Sequence, residues 1–400
     1  MAGSPVTVMK KHTFFIAILS LFLFTVTAVS ASAAHLTGFD HLLQITLNDR
    51  LVFEPGKIAP ILDYVGSEQF KVEPEVQISG MEKSTYAYGG FESDGSLAKL
   101  VKYCYNPDIP SCAVMPSVIR LSNWRPQNGN PSSVPASFWQ KPENDGKPLV
   151  IRGLYYMQNT PDPSTGAYYG YDSYRTMILM TYKGQNVLVS VMKQKDVSDV
   201  GRKGFIIGNE DDMDYFYSGE QGLTMSGLGW VKSYLYDSYS VTVTMEDKKN
   251  GKTGFRCGVF KWIRAGWAGK NIVRKAHMKK GMADYAGEVR NLMQLESRKG
   301  FPAPDELSQV CHTFKNLPTE EMKKKVECLV QSLRSKCAGE SSCPKTLPGG
   351  SDVAGYVNTM SRTEMSSALI VDYVKILMGK PDKSPNIALK PGNPRKPEAF

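Results

Sequence analysis

The segment from Trp230 to Arg264 constrains the fold more than any other part of the chain. WVKSYLYDSYSVTVTM (230–245) is rich in aromatic and β-branched residues and contains neither Gly nor Pro. Such side chains suit a pleated, half-buried surface. EDKKNGKTG follows, and its Asn250-Gly251 pair is a strong signal for a two-residue hairpin turn. FRCGVFKWIR (255–264) is the returning strand. Alternate residues of a strand share a face. Val231, Leu235, Tyr239, Val241, Val243 and Met245 therefore make one row of the first strand, interrupted by Ser233 and Asp237. Phe255, Cys257, Val259 and Ile263 make one row of the second. Pairing these two apolar rows across the hairpin is the simplest core.

More strand patterns precede the hairpin. LVIRGLYYMQ (149–158) comes first, then YRTMILMTY (174–182), the turn Lys183-Gly184, and NVLVSVMKQ (186–194). After the hairpin the period becomes helical. From Trp267 to Glu296, Ile272, Ala276, Met282, Tyr285, Val289, Leu292 and Leu295 recur at helix-like spacings, with Gly281 and Gly287 as weak points. Two amphipathic helices, DELSQVCHTF and TEEMKKKVECLVQSL, and a last one in MSRTEMSSALIVDYVKILMG follow. The expected fold class is α+β: a curved antiparallel sheet closed by a long helix in a helix-grip-like arrangement, then a small helical module bearing cysteines and expected to hold a disulfide. The expected segments are a leader (1–33), a mixed helical and irregular region (34–126), a Pro-rich connector (127–148), the sheet with its helix (149–299), the helical module (301–379) and a disordered tail (380–400).

AGWAGKNIVRKAHMKKGMADYAGEVRNLM (265–293) resembles the end of START-type lipid-transfer domains, through Gly266, Trp267, Lys270, Ile272, Val273, Asp284, Ala286, Val289 and Arg290. In that family a last strand gives way to Gly-Trp and then to a closing helix. Gly269 departs from the pattern, since the family commonly has Pro there. The resemblance implies an apolar cavity between helix and sheet that holds a sterol, phospholipid or other hydrophobic ligand. Val231, Leu235, Tyr239, Val241, Val243, Val259 and Ile263 would line its sheet side, and Trp267, Ile272, Met282, Tyr285 and Val289 its helix side.

Lys10, Lys11 and His12 precede the apolar run Phe14–Val29, and SASAA (30–34) follows. This is the pattern of a secretory signal peptide. No Asn-x-Ser/Thr acceptor occurs, which favours a bacterial periplasm among exported destinations. An exported chain can form disulfides, and all seven cysteines (104, 112, 257, 311, 328, 337 and 343) lie beyond the leader. Cys104 and Cys112 flank a turn-rich loop, Cys311 and Cys328 sit on neighbouring helices, and Cys257 reads as a buried thiol inside a strand.

The formal net charge is +9. Lys270, Arg274, Lys275, Lys279 and Lys280 form a local basic run that could dock on an anionic membrane surface or simply be the wet side of a helix. Nucleic acid is not an expected partner, because the charge is local and the chain exported. Scattered histidines, the lack of a nucleophile-elbow pattern and the lack of a phosphate-binding glycine loop argue against catalytic residues and cofactors. NEDDMD (209–214) gathers acids but lacks the glycine and distal glutamate of a calcium loop, so no metal is expected. The reading that follows is non-enzymatic binding or transfer of a hydrophobic or amphipathic small molecule such as a lipid. An envelope-interaction protein with a filled core, and an enzyme on the same scaffold, are the alternatives.

Overall fold

The computed structural model describes residues 36–126, 147–163, 165–225, 229–249, 251–297, 300–339, 343, 344, 347 and 352–380. The leader, nearly all of the Pro-rich connector and the tail beyond Lys380 lie outside the described residues. The elements run α1 (Phe39–Leu47), α2 (Ala59–Gly66), β1 (Thr85–Asp94), α3 (Leu97–Cys104), β2 (Ile119–Arg125), β3 (Leu149–Asn159), β4 (Ala167–Tyr168), β5 (Gly170–Tyr182), β6 (Gln185–Gln194), β7 (Arg202–Ile206) and β8 (Tyr215–Gln221). They continue through β9 (Leu223–Met225), β10 (Gly229–Val231), β11 (Tyr234–Lys249), β12 (Lys252–Gly266), α4 (Lys275–Glu296), α5 (Pro304–Asn316), α6 (Thr319–Cys337), α7 (Val353–Thr359) and α8 (Arg362–Leu377).

The fold is mixed α+β. Seven strands form a strongly curled antiparallel half-barrel in the order β1-β12-β11-β6-β5-β3-β2. A three-stranded sheet, β4-β7-β8, stands beside it. Both edge strands of the half-barrel, β1 and β2, come from the region expected to be mixed helical and irregular. In β1 (TYAYGGFESD) two central glycines blur the alternation that would have revealed a strand.

The hairpin corrects the expected core. Lys249 pairs with Lys252, so odd-numbered residues of β11 meet even-numbered residues of β12. Val241 faces Phe260 and Val243 faces Gly258, whereas Thr242 faces Val259 and Thr244 faces Cys257. The two apolar rows therefore lie on opposite faces of the sheet. Tyr239, Val241, Val243 and Met245 join Phe260 and Trp262 in one core with α1 and α2. There Tyr239 is fully buried and donates its hydroxyl to the Phe39 carbonyl at 2.9 Å. Phe255, Cys257 and Val259 join the other core, which holds α3, α4 and the helices from α5 to α8. A bulge at Tyr236, between Leu235 and Asp237, shifts the register, and Leu235 pairs with Ala265.

The helix begins later than its periodicity predicts. Residues 267–274 form an irregular link, and α4 starts at Lys275. Asn271 pins the link: its side chain donates to the Lys83 carbonyl and Thr85 Oγ1, both at 3.1 Å, and accepts from the Ala265 and Val273 amides at 3.3 and 3.2 Å. Gly266 is required at the turn, because its φ is +155° and a Cβ would come within 2.2 Å of the Lys270 carbonyl oxygen. α4 then packs on β1, where Met282 lies against the bare backbone of Gly89; a Cβ there would sit 3.3 Å from Met282 Cβ. One disulfide is present, Cys337–Cys343. Cys104, Cys112, Cys257, Cys311 and Cys328 are free thiols. No helix among the described residues is long and apolar enough to cross a membrane.

Candidate functional site

Two concavities, neither lined by α4, lie on either side of one buried arginine. In β2, Ile119 pairs with Asn159 and Leu121 with Gln158, so Arg120 is the extra residue of a β-bulge. Bulges re-aim side chains. The Arg120 guanidinium lies 3.6 Å from the ring centre of Tyr217 and 5.6 Å from that of Tyr168. It donates to Gln158 Oε1 at 2.7 Å and pairs with Glu364 Oε1 at 2.9 Å. The slot satisfies a nearly buried charge by aromatic faces, an amide and a carboxylate together. Glu364 is fixed in turn by the start of α8, where it accepts from the Ser361 amide at 2.8 Å while Ser361 Oγ caps the helix.

On one side of Arg120 is an apolar cleft between β2, β8 and the helices α6, α7 and α8. Its enclosed space is about 80 Å³ within a wider concavity of about 700 Å³. Ile119, Phe216, Val326, Leu329, Val330 and Leu333 supply hydrocarbon walls. At its polar end Asp214 is clamped by two lysines, Lys336 at 2.7 Å and Lys375. Lys336 also pairs with Asp212. Burial pulls the Lys336 ammonium down, but the two aspartates outweigh that and hold its pKa above the usual lysine value. Burial pushes the Tyr217 and Tyr356 phenols up, so both stay neutral, and the Tyr356 hydroxyl accepts from the Tyr217 amide at 3.4 Å. The acids of 209–214 thus serve as tethers for α6 and α8. Glu210, from the same run, pairs with Lys280 of α4 at 2.7 Å. No group of three or more metal-ligating side chains occurs among the described residues.

On the other side of Arg120 is a polar cleft of about 320 Å³. Leu121, Asn123 and Arg125 line it from alternate positions of β2, Tyr156 and Gln158 from β3, and Ser361, Thr363 and Glu364 from the start of α8. Glu364 borders both clefts.

The residues expected to line one cavity are not brought together. Tyr239, Val241 and Val243 are fully buried in the core under α1 and α2. Val259, Met282 and Val289 are buried in the core on the other face, with Ile263 and Tyr285 packed at its margin. The sheet separates the two groups. Leu235 is buried, and Val231 and Trp267 are half-buried. Lys270 Nζ lies 5.8 Å from the Trp267 ring centre. Ile272 is 41% exposed, because it falls in the irregular link and not on α4. Of the basic run, Lys275 and Lys279 pair with Glu73 at 2.5 and 3.1 Å, and Lys280 also pairs with Asp284 at 3.3 Å.

Sequence reasoning missed both clefts. Arg120 gave no signal, since its strand lies in the region expected to be mixed helical and irregular, and a bulge leaves no mark in the sequence. Lys336 and Lys375 did give one: each continues an apolar helical stripe, after Leu329 and Leu333 and after Ala368 and Val371. A lysine on such a stripe needs a buried partner.

No family model matches the chain, and no curated protein matches it. Seven solved chains match. One is an uncharacterised protein from Rhizobium leguminosarum, 9% identical, with the match covering 53% of this chain and 96% of that one at a TM-score of 0.23. A likeness at that score carries no argument about fold or function.

Proposed function

We propose that the chain is a non-enzymatic binding protein, exported by its N-terminal leader, for an amphipathic or hydrophobic small molecule seated in the apolar cleft between β2, β8 and α6 to α8. The observation that carries this reading is the cleft itself: hydrocarbon walls from Ile119, Phe216, Leu329, Val330 and Leu333, with fixed polar groups at Arg120, Tyr217 and Asp214. A concave, mostly apolar site with a few convergent polar groups is the usual form of a small-molecule site. Burial of ligand hydrocarbon would supply about 25 cal/mol per Å² removed from water. Arg120, Glu364, Asp214 and Lys375 of the cleft are held in ion pairs and Tyr217 as a neutral phenol, which suits binding.

This reading keeps the START-like expectation of an apolar ligand but moves its place. Side chains of the protein fill the space between the sheet and α4, where the resemblance would put the ligand. Native mass spectrometry of the purified chain, followed by solvent extraction, tests the proposal. A co-purified apolar molecule that is lost in the rim variant Leu333→Trp supports it. A ligand-free chain that also fails to bind a fluorescent fatty acid overturns it.

A further inference from the structure

We infer that the polar cleft is the head-group subsite for that same ligand, and that the head group it takes is uncharged and rich in hydroxyls, such as a sugar or polyol. The inference rests on the apolar cleft being the seat of the ligand's hydrocarbon. Three observations carry it. First, the two clefts adjoin: Ile119 and Arg120 face one, Leu121, Asn123 and Arg125 the other, and Glu364 borders both. A single molecule crossing the Arg120–Glu364 seam would place hydrocarbon on one side and a polar group on the other.

Second, the charges of the polar cleft cancel. Its lining holds Arg125 and Arg202 against Asp199 and Glu364. Arg125 is already paired with Asp172 at 3.0 Å, and Glu364 with Arg120. A carboxylate, phosphate or ammonium head would find no net counter-charge here. Third, the remaining polar lining is amides and hydroxyls: Asn123, Tyr156, Gln158, Tyr168, Ser361 and Thr363. These side chains both donate and accept. A hydroxyl-rich head has the same dual character and can saturate them, whereas an anion can only accept.

Isothermal titration of the full chain with octyl glucoside, octanoate and octyl phosphocholine, each below its micelle concentration, tests the inference. The alkyl chain is constant, so differences report the head group. The glucoside should bind about tenfold more tightly than the other two. Asn123→Leu, at an exposed position, should erase that preference by weakening the glucoside more than octanoate, and Leu333→Trp should weaken all three. Equal binding of the three, a preference for octanoate or the phosphocholine, or a uniform loss in Asn123→Leu would overturn the head-group assignment while leaving the apolar cleft standing. Failure of all three to bind a chain with an unaltered melting temperature would overturn the apolar seat, and this inference with it.

Discussion

Glu288 illustrates how one side chain is decided by its surroundings. It belongs to α4, is 6% exposed, and accepts from the Ser117 amide at 3.1 Å and from the Ser117 hydroxyl. Burial pushes its carboxyl above the ordinary value of 4.5, and the Ser117 hydrogen bonds only partly oppose this. The folded state therefore binds this proton more tightly than the unfolded state does. Its contribution to stability is fully present below the unfolded pKa and is lost as pH rises through the folded one. Glu288→Gln should hold the same contacts without the charge. Melting temperatures measured from pH 4 to pH 8 should fall less steeply in the variant than in the parent, and parallel curves would refute the assignment. Asp214 is the other decisive residue. It is 7% exposed and is the common partner of Lys336 and Lys375. Asp214→Ala leaves two nearly buried ammonium groups short of a carboxylate, and chemical denaturation should register a loss of about 3 kcal/mol.

Among the elements, α4 was legible as a helix but not in its limits or its role. Its stripe of Met282, Val289, Leu292 and Leu295 is buried, as its spacing requires. Its first eight expected residues are an irregular link, because a left-handed turn at Ala268 and Gly269 and the side chain of Asn271 hold the backbone away from helical geometry. Gly281 and Gly287 were read as weak points. Both are exposed, and a Cβ at either would meet nothing within 4 Å. Each Gly→Ala change should therefore stabilise the chain by about 1 kcal/mol, since the helix gains propensity at no packing cost. A thermal melt of the double variant should show an upward shift, and a downward one would place an unseen contact at that surface.

Across the whole molecule, the half-barrel works as a partition. Tyr239, Val241 and Val243 stabilise one core, and Met282 and Val289 another, on opposite faces of the sheet. Sites that share no partners usually add within about 0.5 kcal/mol. Val243→Ala and Val289→Ala should each cost roughly 2 kcal/mol, and a double-mutant cycle by urea denaturation should find them additive within that limit. A larger coupling would return both residues to a common lining. The C-terminal helices, expected to form a separate module, share the core of α4 and β12. They also build one wall of both clefts, so the concavities exist only because distant parts of the chain converge.

The sequence by itself determined the local order: the strand pairs β5–β6 and β11–β12, the helices after them, the buried stripe of α4 and the buried thiol Cys257. These follow from period, turn residues and hydrophobicity, all of which act between near neighbours. Even the hairpin register was written there. A two-residue turn at Asn250-Gly251 sets odd residues opposite even ones, which the matching of apolar rows had overridden. The tertiary structure alone decided that β1 and β2 close the sheet, that a bulge aims Arg120 between Tyr168 and Tyr217, and that Asp214 receives lysines from two helices. Each of these joins residues far apart in the chain, where burial of a charge or a backbone edge is settled by what arrives opposite, and no local pattern encodes the arrival.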